Sequence, residues 1–191
     1  MTHNLLALDG LSAILTLAFS QGHFRLGYAF VEGHGGMTKD YLAASVCFEK
    51  AAELGHEVAM TNLGCLLKNG GYGLDRDQIQ AVSWYLKAAD AGCEHGQHIT
   101  AWLYFHGTIV TKDLAKARSW FRKAADQGSA VATRCLGTMV VKGEGGAMDV
   151  NEGCALWEEA AAFGDEKARQ NIDRLDVLLR HALTDASFEM F

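Results

Sequence analysis

The segment AAELG at residues 51–55 returns as AADAG at 88–92, AADQG at 124–128 and AAAFG at 160–164. Counted from one closing glycine to the next, these segments are 37, 36 and 36 residues apart. A period of this length is typical of stacked helical hairpins, in which each hairpin buries its apolar face only against its neighbours. We therefore predict an all-α fold, namely an α-solenoid of stacked antiparallel helix hairpins. Such a solenoid has a long surface for binding other molecules.

The composition agrees with this prediction. The 191 residues include no proline, which would interrupt a helix interior, and 21 glycines, which can end helices. A hydrophobic content of 49% and a charged content of 21% are those of an ordinary globular chain. The net charge of -6 argues against nucleic-acid binding, because the neutralisation of phosphates needs a dominant basic surface.

Each period contains a first helical segment with a small residue directly after a larger one. The small residue, which we call the step residue, lets a partner helix approach closely. The four pairs are Leu26-Gly27, Leu63-Gly64, Thr100-Ala101 and Leu136-Gly137. A glycine follows six residues later, where a left-handed residue is predicted to end the helix, at Gly33, Gly70, Gly107 and Gly143.

A second helical segment follows each of these glycines after a short loop. It begins after an aspartate that is placed to cap the helix, namely Asp40, Asp77, Asp113 or Asp149. Within it, a small residue precedes an aromatic residue by four positions, as in Ala44 and Phe48, Ala81 and Tyr85, Ala117 and Phe121, and Gly153 and Trp157. Small and large residues at this spacing predict an interlocking helix interface.

This arrangement resembles the Sel-one-like repeat (SLR) family, a relative of the tetratricopeptide repeats. The fullest match, over residues 55–92, contains Leu63-Gly64, Gly71, Gly73, Asp77, Ala81, Trp84-Tyr85, Ala88-Ala89 and Gly92. The third repeat departs from the pattern, with Ala101 at the step position and no Gly-x-Gly loop, and the first has Cys47 where others have tryptophan. The resemblance implies a non-catalytic adaptor or scaffold protein.

We predict a single domain over residues 1–191. It comprises an N-terminal capping helix at 1–21, four repeats at 22–164, and a C-terminal capping helix with its tail at 165–191. The five cysteines have no CxxC pair and no fixed position in the repeat, so we expect free thiols in a cytoplasmic protein. Secretion or export to the periplasm is the alternative, because Ala18-Phe19-Ser20 has small residues where a signal peptidase could cut.

The partner-binding surface is predicted on the concave side, which the first helices line in tetratricopeptide relatives. Exposed positions there combine basic side chains with amides and aromatic anchors, a chemistry that is suited to a partner protein or peptide of acidic character. The ordinary alternative is a solvated face that keeps the chain soluble. The positions are Arg25, Tyr28, Glu32, Asn62, Lys68, Asn69, His95, His98, Trp102, His106, Arg134, Thr138, Lys142, Lys167, Gln170 and Arg174.

Enzyme chemistry is not indicated, because no HExxH, GxSxG or P-loop motif is present. His95, His98 and His106 extend too far along one helix to hold a single ion, so no metal or cofactor is predicted. The predicted function is a protein interaction scaffold or adaptor that does not insert into a membrane. The alternatives are an immunity-type regulatory protein that neutralises an enzyme by wrapping it and, more remotely, a metal-dependent enzyme.

Overall fold

The computed structural model describes the backbone of residues 2–188 and the side chains of residues 12–177. These residues form nine α-helices and no β structure apart from one isolated bridge between Gly71 and Leu74. The helices are α1 (Thr2–Glu32), α2 (Tyr41–Glu53), α3 (Glu57–Asn69), α4 (Gln78–Asp90), α5 (Glu94–His106), α6 (Leu114–Ala125), α7 (Ala130–Lys142), α8 (Val150–Ala162) and α9 (Glu166–Phe188). The all-α hairpin fold is confirmed.

The helices form two compact units, one up to Thr100 and the other from Ala101 onward. In the first unit α1 packs on α2, α2 on α3, and α3 on α4. In the second unit α6 packs on α7, α7 on α8, and α8 on α9. The predicted organisation as one domain stays a prediction. No helix in the described part of the chain is apolar over a length that would cross a bilayer.

The four predicted aspartate caps are present, and they begin α2, α4, α6 and α8. Each carboxylate accepts a hydrogen bond of 2.8 to 2.9 Å from the backbone N–H three residues later. These bonds satisfy N–H groups that have no partner within the helix. The predicted glycines end the preceding first helices with φ values of 65 to 73°, a region that a residue with a side chain enters only at a cost.

The step glycines of the first helices lie directly under the aromatic rings of the second helices. A Cβ atom placed on any of them would lie 2.7 to 2.8 Å from a ring carbon, so only glycine permits this approach. The pairs are Gly27 with Phe48, Gly64 with Tyr85, and Gly137 with Trp157. The interlocking interface predicted from the alternation of small and large residues is therefore present in three hairpins.

The N-terminal capping helix predicted at residues 1–21 is not a separate element. Helix α1 runs without a break through this segment and includes the first helix of the first repeat. The sequence has no proline here, and the helical Gly22 costs only about 1 kcal/mol relative to alanine, so nothing ends a helix at residue 21. Ile14, Leu17 and Phe19 of this segment are exposed.

Leu26 also differs from its counterparts, because it is exposed whereas Leu63, Thr100 and Leu136 are buried. Thr100 shows what normally covers this position, since its hydroxyl donates a 3.3 Å hydrogen bond to the Tyr85 carbonyl of the preceding second helix. No described hairpin precedes α1, so Leu26 lacks this cover.

The C-terminal helix α9 packs against α8 through an apolar stripe. Ala168 is fully buried, and Ile172 and Leu175 pack against the cluster that contains Trp157. Asp165 begins the helix and accepts a 2.9 Å hydrogen bond from the N–H of Ala168. The tail at residues 189–191 lies outside the described residues.

Candidate partner-binding site

Two similar clefts open between neighbouring first helices, one within each unit, and a further cleft between the starts of α7 and α9 is lined by Phe163 and Lys167. The first cleft lies between α1 and α3 and has an empty volume of about 350 Å³. The second cleft lies between α5 and α7 and has an empty volume of about 400 Å³. Each includes an aromatic residue of the intervening second helix, Phe48 or Phe121.

The two clefts are built from the same positions of the repeat. Six residues line the first cleft, and the residues at the equivalent positions of the repeat line the second cleft. The equivalent residues are Tyr28 and Trp102, Val31 and Phe105, Phe48 and Phe121, Asn62 and Cys135, Cys65 and Thr138, and Leu66 and Met139. The clefts are therefore a property of the repeat, and their different chemistry comes from substitutions at fixed positions.

An aromatic residue directly after the step residue borders each cleft. Tyr28 is 49% exposed and Trp102 is 38% exposed. The Trp102 ring stacks on His106 at a centroid distance of 4.6 Å and meets Phe105 and Phe121 edge to face at 5.9 and 6.2 Å. These contacts fix the orientation of Trp102 while they leave part of its ring exposed.

The second cleft contains two charged residues that the first cleft lacks. The Arg134 Nε lies 3.0 Å from Oδ2 of Asp165, and these side chains are only 18% and 8% exposed. Arg134 was predicted as a binding residue, but its charge is balanced by this pair. Its backbone carbonyl also accepts hydrogen bonds from the Trp157 indole and the Thr138 hydroxyl, so Arg134 joins α7 to α8 and α9.

The second charged residue is Glu144, which sequence analysis missed. It follows Gly143 in the turn after α7, and its N–H donates a 2.9 Å hydrogen bond to the Met139 carbonyl. Its Oε2 is shielded from solvent and has no hydrogen-bond partner within the described part of the chain. The equivalent residues of the other repeats are His34, Gly71 and Thr108, so no repeated acid marked this position.

The predicted residues are distributed between the clefts and other surfaces. Tyr28 and Asn62 lie together at the first cleft, and Trp102, Arg134 and Thr138 lie together at the second. His106 reaches the second cleft through its stacking on Trp102. The residues that line neither cleft are Arg25, Glu32, Lys68, Asn69, His95, His98, Lys142, Lys167, Gln170 and Arg174.

Several predicted cations carry unbalanced charge. Arg25, Lys68 and Lys142 are exposed, and none forms an ion pair with any residue that the structure describes. By contrast, Arg118 and Arg122 of α6 both pair with Glu152 of α8. These three cations are local positive charges, since the same first helices also carry Glu32, Glu57 and Glu94.

The described residues include no evident catalytic group. Burial raises the pKa of the Cys135 thiol at the second cleft, which keeps it in the less reactive protonated form. The rings of His95 and His98 lie 6.3 Å apart, and no cluster of three or more potential metal ligands occurs among the described side chains.

Comparison with known proteins identifies the repeat. The family model for the Sel1 repeat matches residues 20–56, 58–93 and 95–129. The hairpin of α7 and α8 follows these matches with the same capping aspartate and glycine-to-aromatic contact. Comparison with curated protein sequences finds no significant match.

Solved structures of repeat proteins share this fold. A Sel1 repeat protein from Oxalobacter formigenes is 29% identical, with a TM-score of 0.73, over 78% of this chain and 60% of that one. The protective antigen c5321 of uropathogenic Escherichia coli strains, which has an SLR fold, is 32% identical with a TM-score of 0.73, over 84% of this chain and 34% of that one. The chain thus spans less than two thirds of either relative.

Cysteine rich protein B of Helicobacter pylori is a more distant structural neighbour. It is 21% identical, with a TM-score of 0.52, over 66% of this chain and 95% of that one. At this identity the likeness concerns the fold alone.

Proposed function

Because the chain belongs to the Sel1 repeat family, whose members generally mediate interactions between proteins, we propose that it is a non-catalytic scaffold or adaptor that binds a partner protein or peptide along its first helices. The observation that carries the proposal is the pair of equivalent clefts, each bordered by a partly exposed aromatic residue. Aromatic side chains beside pockets dominate the binding energy of many protein interfaces.

The proposed binding would bury aromatic surface at a low cost in side-chain conformational entropy. Trp102 is already held by His106, Phe105 and Phe121, so a partner that covers its exposed part need not immobilise it. Tyr28 offers a similar apolar ring with a hydroxyl group. These two residues are the expected anchors of the interface.

The unpaired cations support a partner of acidic character. Arg25, Lys68 and Lys142 are exposed on first helices without a described carboxylate within ion-pair distance. Carboxylates of a partner would gain charge-assisted hydrogen bonds there. Such exposed pairs contribute more to the rate and selectivity of association than to affinity.

The test compares two double variants in capture from a cell lysate followed by mass spectrometry. Tyr28→Ala with Trp102→Ala removes one anchor from each unit and is expected to weaken capture at least about tenfold. Ile79→Ala with Met148→Ala removes one exposed apolar residue from each unit outside the clefts and is expected to leave capture unchanged. Arg134 is not substituted, because the loss of its pair with Asp165 would alter the fold.

Helical circular dichroism and thermal unfolding check that both double variants remain folded. Equal capture by the wild type and the folded Tyr28→Ala, Trp102→Ala variant would contradict the proposal.

A further inference from the structure

The Glu144 carboxylate is the unexplained feature of the second cleft. Its Oε2 has no donor among the described residues, although it is shielded from water. Burial of a carboxylate oxygen without a hydrogen bond is unfavourable, and a cation satisfies it better than a neutral donor does. The site therefore lacks a positively charged partner.

The neighbouring cations of the chain do not balance the charge of Glu144. Arg134 is committed to Asp165 at 3.0 Å, so it does not balance Glu144. Lys112 places its ammonium 5.9 Å from the centre of the Phe105 ring but forms no ion pair with Glu144. With Arg134 and Asp165 balanced, Glu144 leaves the lining of the cleft with one net negative charge.

Apart from Thr138, the rest of the lining is apolar or aromatic. Trp102, Phe105, Phe121 and Met139 surround an empty volume of about 400 Å³. The faces of aromatic rings attract cations, and an aliphatic stem packs well on such a lining. A lysine side chain combines these properties, because it has four methylene groups and an ammonium at the end.

We propose that the second cleft binds a lysine side chain of the partner, with its stem along Trp102 and Met139 and its ammonium on Glu144. This inference rests on the proposed function and specifies an anchor within a partner that is acidic elsewhere. Because the negative charge is delocalised over both carboxylate oxygens, an ammonium that contacts Oε1 also stabilises the charge on the shielded Oε2. The first cleft lacks an acid among its lining residues and is expected to take an uncharged anchor.

The test uses n-butylammonium as a probe for the lysine side chain, with 1-butanol as the neutral control and butanoate as the anionic control. Binding is followed by NMR through the indole N–H signal of Trp102, which a Trp102→Phe variant assigns. We expect a saturable shift with a millimolar dissociation constant for n-butylammonium, at least about fivefold weaker binding of 1-butanol, and no binding of butanoate.

Glu144→Gln preserves the shape of the side chain. We expect it to weaken the binding of n-butylammonium at least about fivefold and to leave the binding of 1-butanol unchanged. Glu158→Gln, at an exposed position of α8, is the matched control and is expected to change neither. The inference is overturned if no probe binds, if 1-butanol or butanoate binds as tightly as n-butylammonium, or if Glu144→Gln binds it like the wild type.

Comparison with partner capture separates the two proposals. Loss of capture in the Tyr28→Ala, Trp102→Ala variant, together with unchanged probe binding in Glu144→Gln, would remove the lysine anchor and leave the proposed function. Unchanged capture with Glu144-dependent probe binding would remove the proposed function and leave a cation site.

Discussion

At the scale of single residues, the loops after the first helices contain one strained position. Two residues after the closing glycine, all four loops have a left-handed backbone, with φ between 46 and 75°. Glycine occupies this position in two loops, as Gly35 and Gly145, but the other two have Tyr72 and Ile109. The sequence predicted the closing glycines but not this second position, because neither a tyrosine nor a β-branched isoleucine is a signal for a left-handed turn.

Ile109→Gly is expected to stabilise the chain by about 1 kcal/mol. Glycine removes the steric cost of the left-handed conformation, and Ile109 is 49% exposed, so little apolar burial is lost. Urea unfolding followed by circular dichroism measures the change in the free energy of unfolding. Ile109→Ala keeps the strain and serves as the control, and an equal gain in that variant would contradict the explanation.

His56 is a second residue whose role the sequence did not reveal. Its Nδ1 accepts a 3.3 Å hydrogen bond from the N–H of Ala59 at the start of α3, and its ring stacks on Phe24 at 4.3 Å. Burial lowers the pKa of His56 below its ordinary value of 6.5, and this effect exceeds the opposing effect of Glu57. An imidazolium could not accept the bond, so the folded state favours the neutral ring.

The chain is therefore expected to lose stability through His56 on acidification. Because the folded pKa is lowered, this contribution is fully present above pH 6.5 and is lost as the pH falls through the lower folded pKa. His56→Asn retains a neutral capping oxygen and should lose less stability between about pH 8 and about pH 5. Urea unfolding at both pH values tests this, and equal losses in the two proteins would contradict it.

At the scale of helices, close packing at the step residues opposes the ordinary preference of helices for alanine. The same substitution is expected to have opposite effects at two helical glycines. At Gly137 a Cβ would lie 2.8 Å from the Trp157 ring and 2.9 Å from the Gly153 carbonyl oxygen, whereas at Gly22 it would meet nothing within 4 Å.

Gly137→Ala is expected to destabilise the chain by about 1–3 kcal/mol, because the rigid backbone of α8 must move. Gly22→Ala is expected to stabilise it by up to about 1 kcal/mol, because alanine favours the helix. Thermal and urea unfolding of both variants measure these effects. A stabilised Gly137→Ala would show that α7 and α8 do not pack as described.

Helix boundaries were predictable wherever the sequence contains a cap. Asp77 and Gly70 mark ends that the structure reproduces, because each satisfies a backbone requirement that few residues can meet. No helix ends at residue 21, because no stop signal accompanies the start of the repeat register there, although the first family match begins nearby at residue 20. The exposure of Leu26 could not be predicted from its place in the repeat, since burial there depends on a neighbouring hairpin and not on its own helix.

At the scale of the whole molecule, the acidic net charge and the exposed cations of the first helices have opposite effects on an acidic partner. The net charge of -6 repels an acidic partner at long range, whereas Arg25, Lys68 and Lys142 attract it at contact distance. Salt shortens the range of both effects, but apolar contacts at Tyr28 and Trp102 do not depend on it.

Partner capture is accordingly expected to weaken, but not to disappear, when NaCl rises from about 50 to about 500 mM. Lys68→Gln should reduce this dependence, whereas Lys50→Gln, on the second helix α2, should not. Titration of the captured partner against salt measures the slope. A salt-independent affinity would contradict the acidic character proposed for the partner.

The anchors of the candidate site were predictable, and its charge was not. Tyr28 and Trp102 lie at one position of the repeat, so the register that gave the fold also selected them. Glu144 lies in a turn where every repeat has a different residue, and the pairing of Arg134 with Asp165 joins residues of two helices. Such features depend on three-dimensional neighbours that a period along the chain does not encode.

The position after the step residue has one further consequence. Tyr28, Cys65, Trp102 and Thr138 occupy it, and they border clefts, whereas the step residues before them are buried in the hairpins. We therefore expect point mutations in this column to change the proposed selectivity one repeat at a time, at a smaller cost in stability than mutations of the step residues.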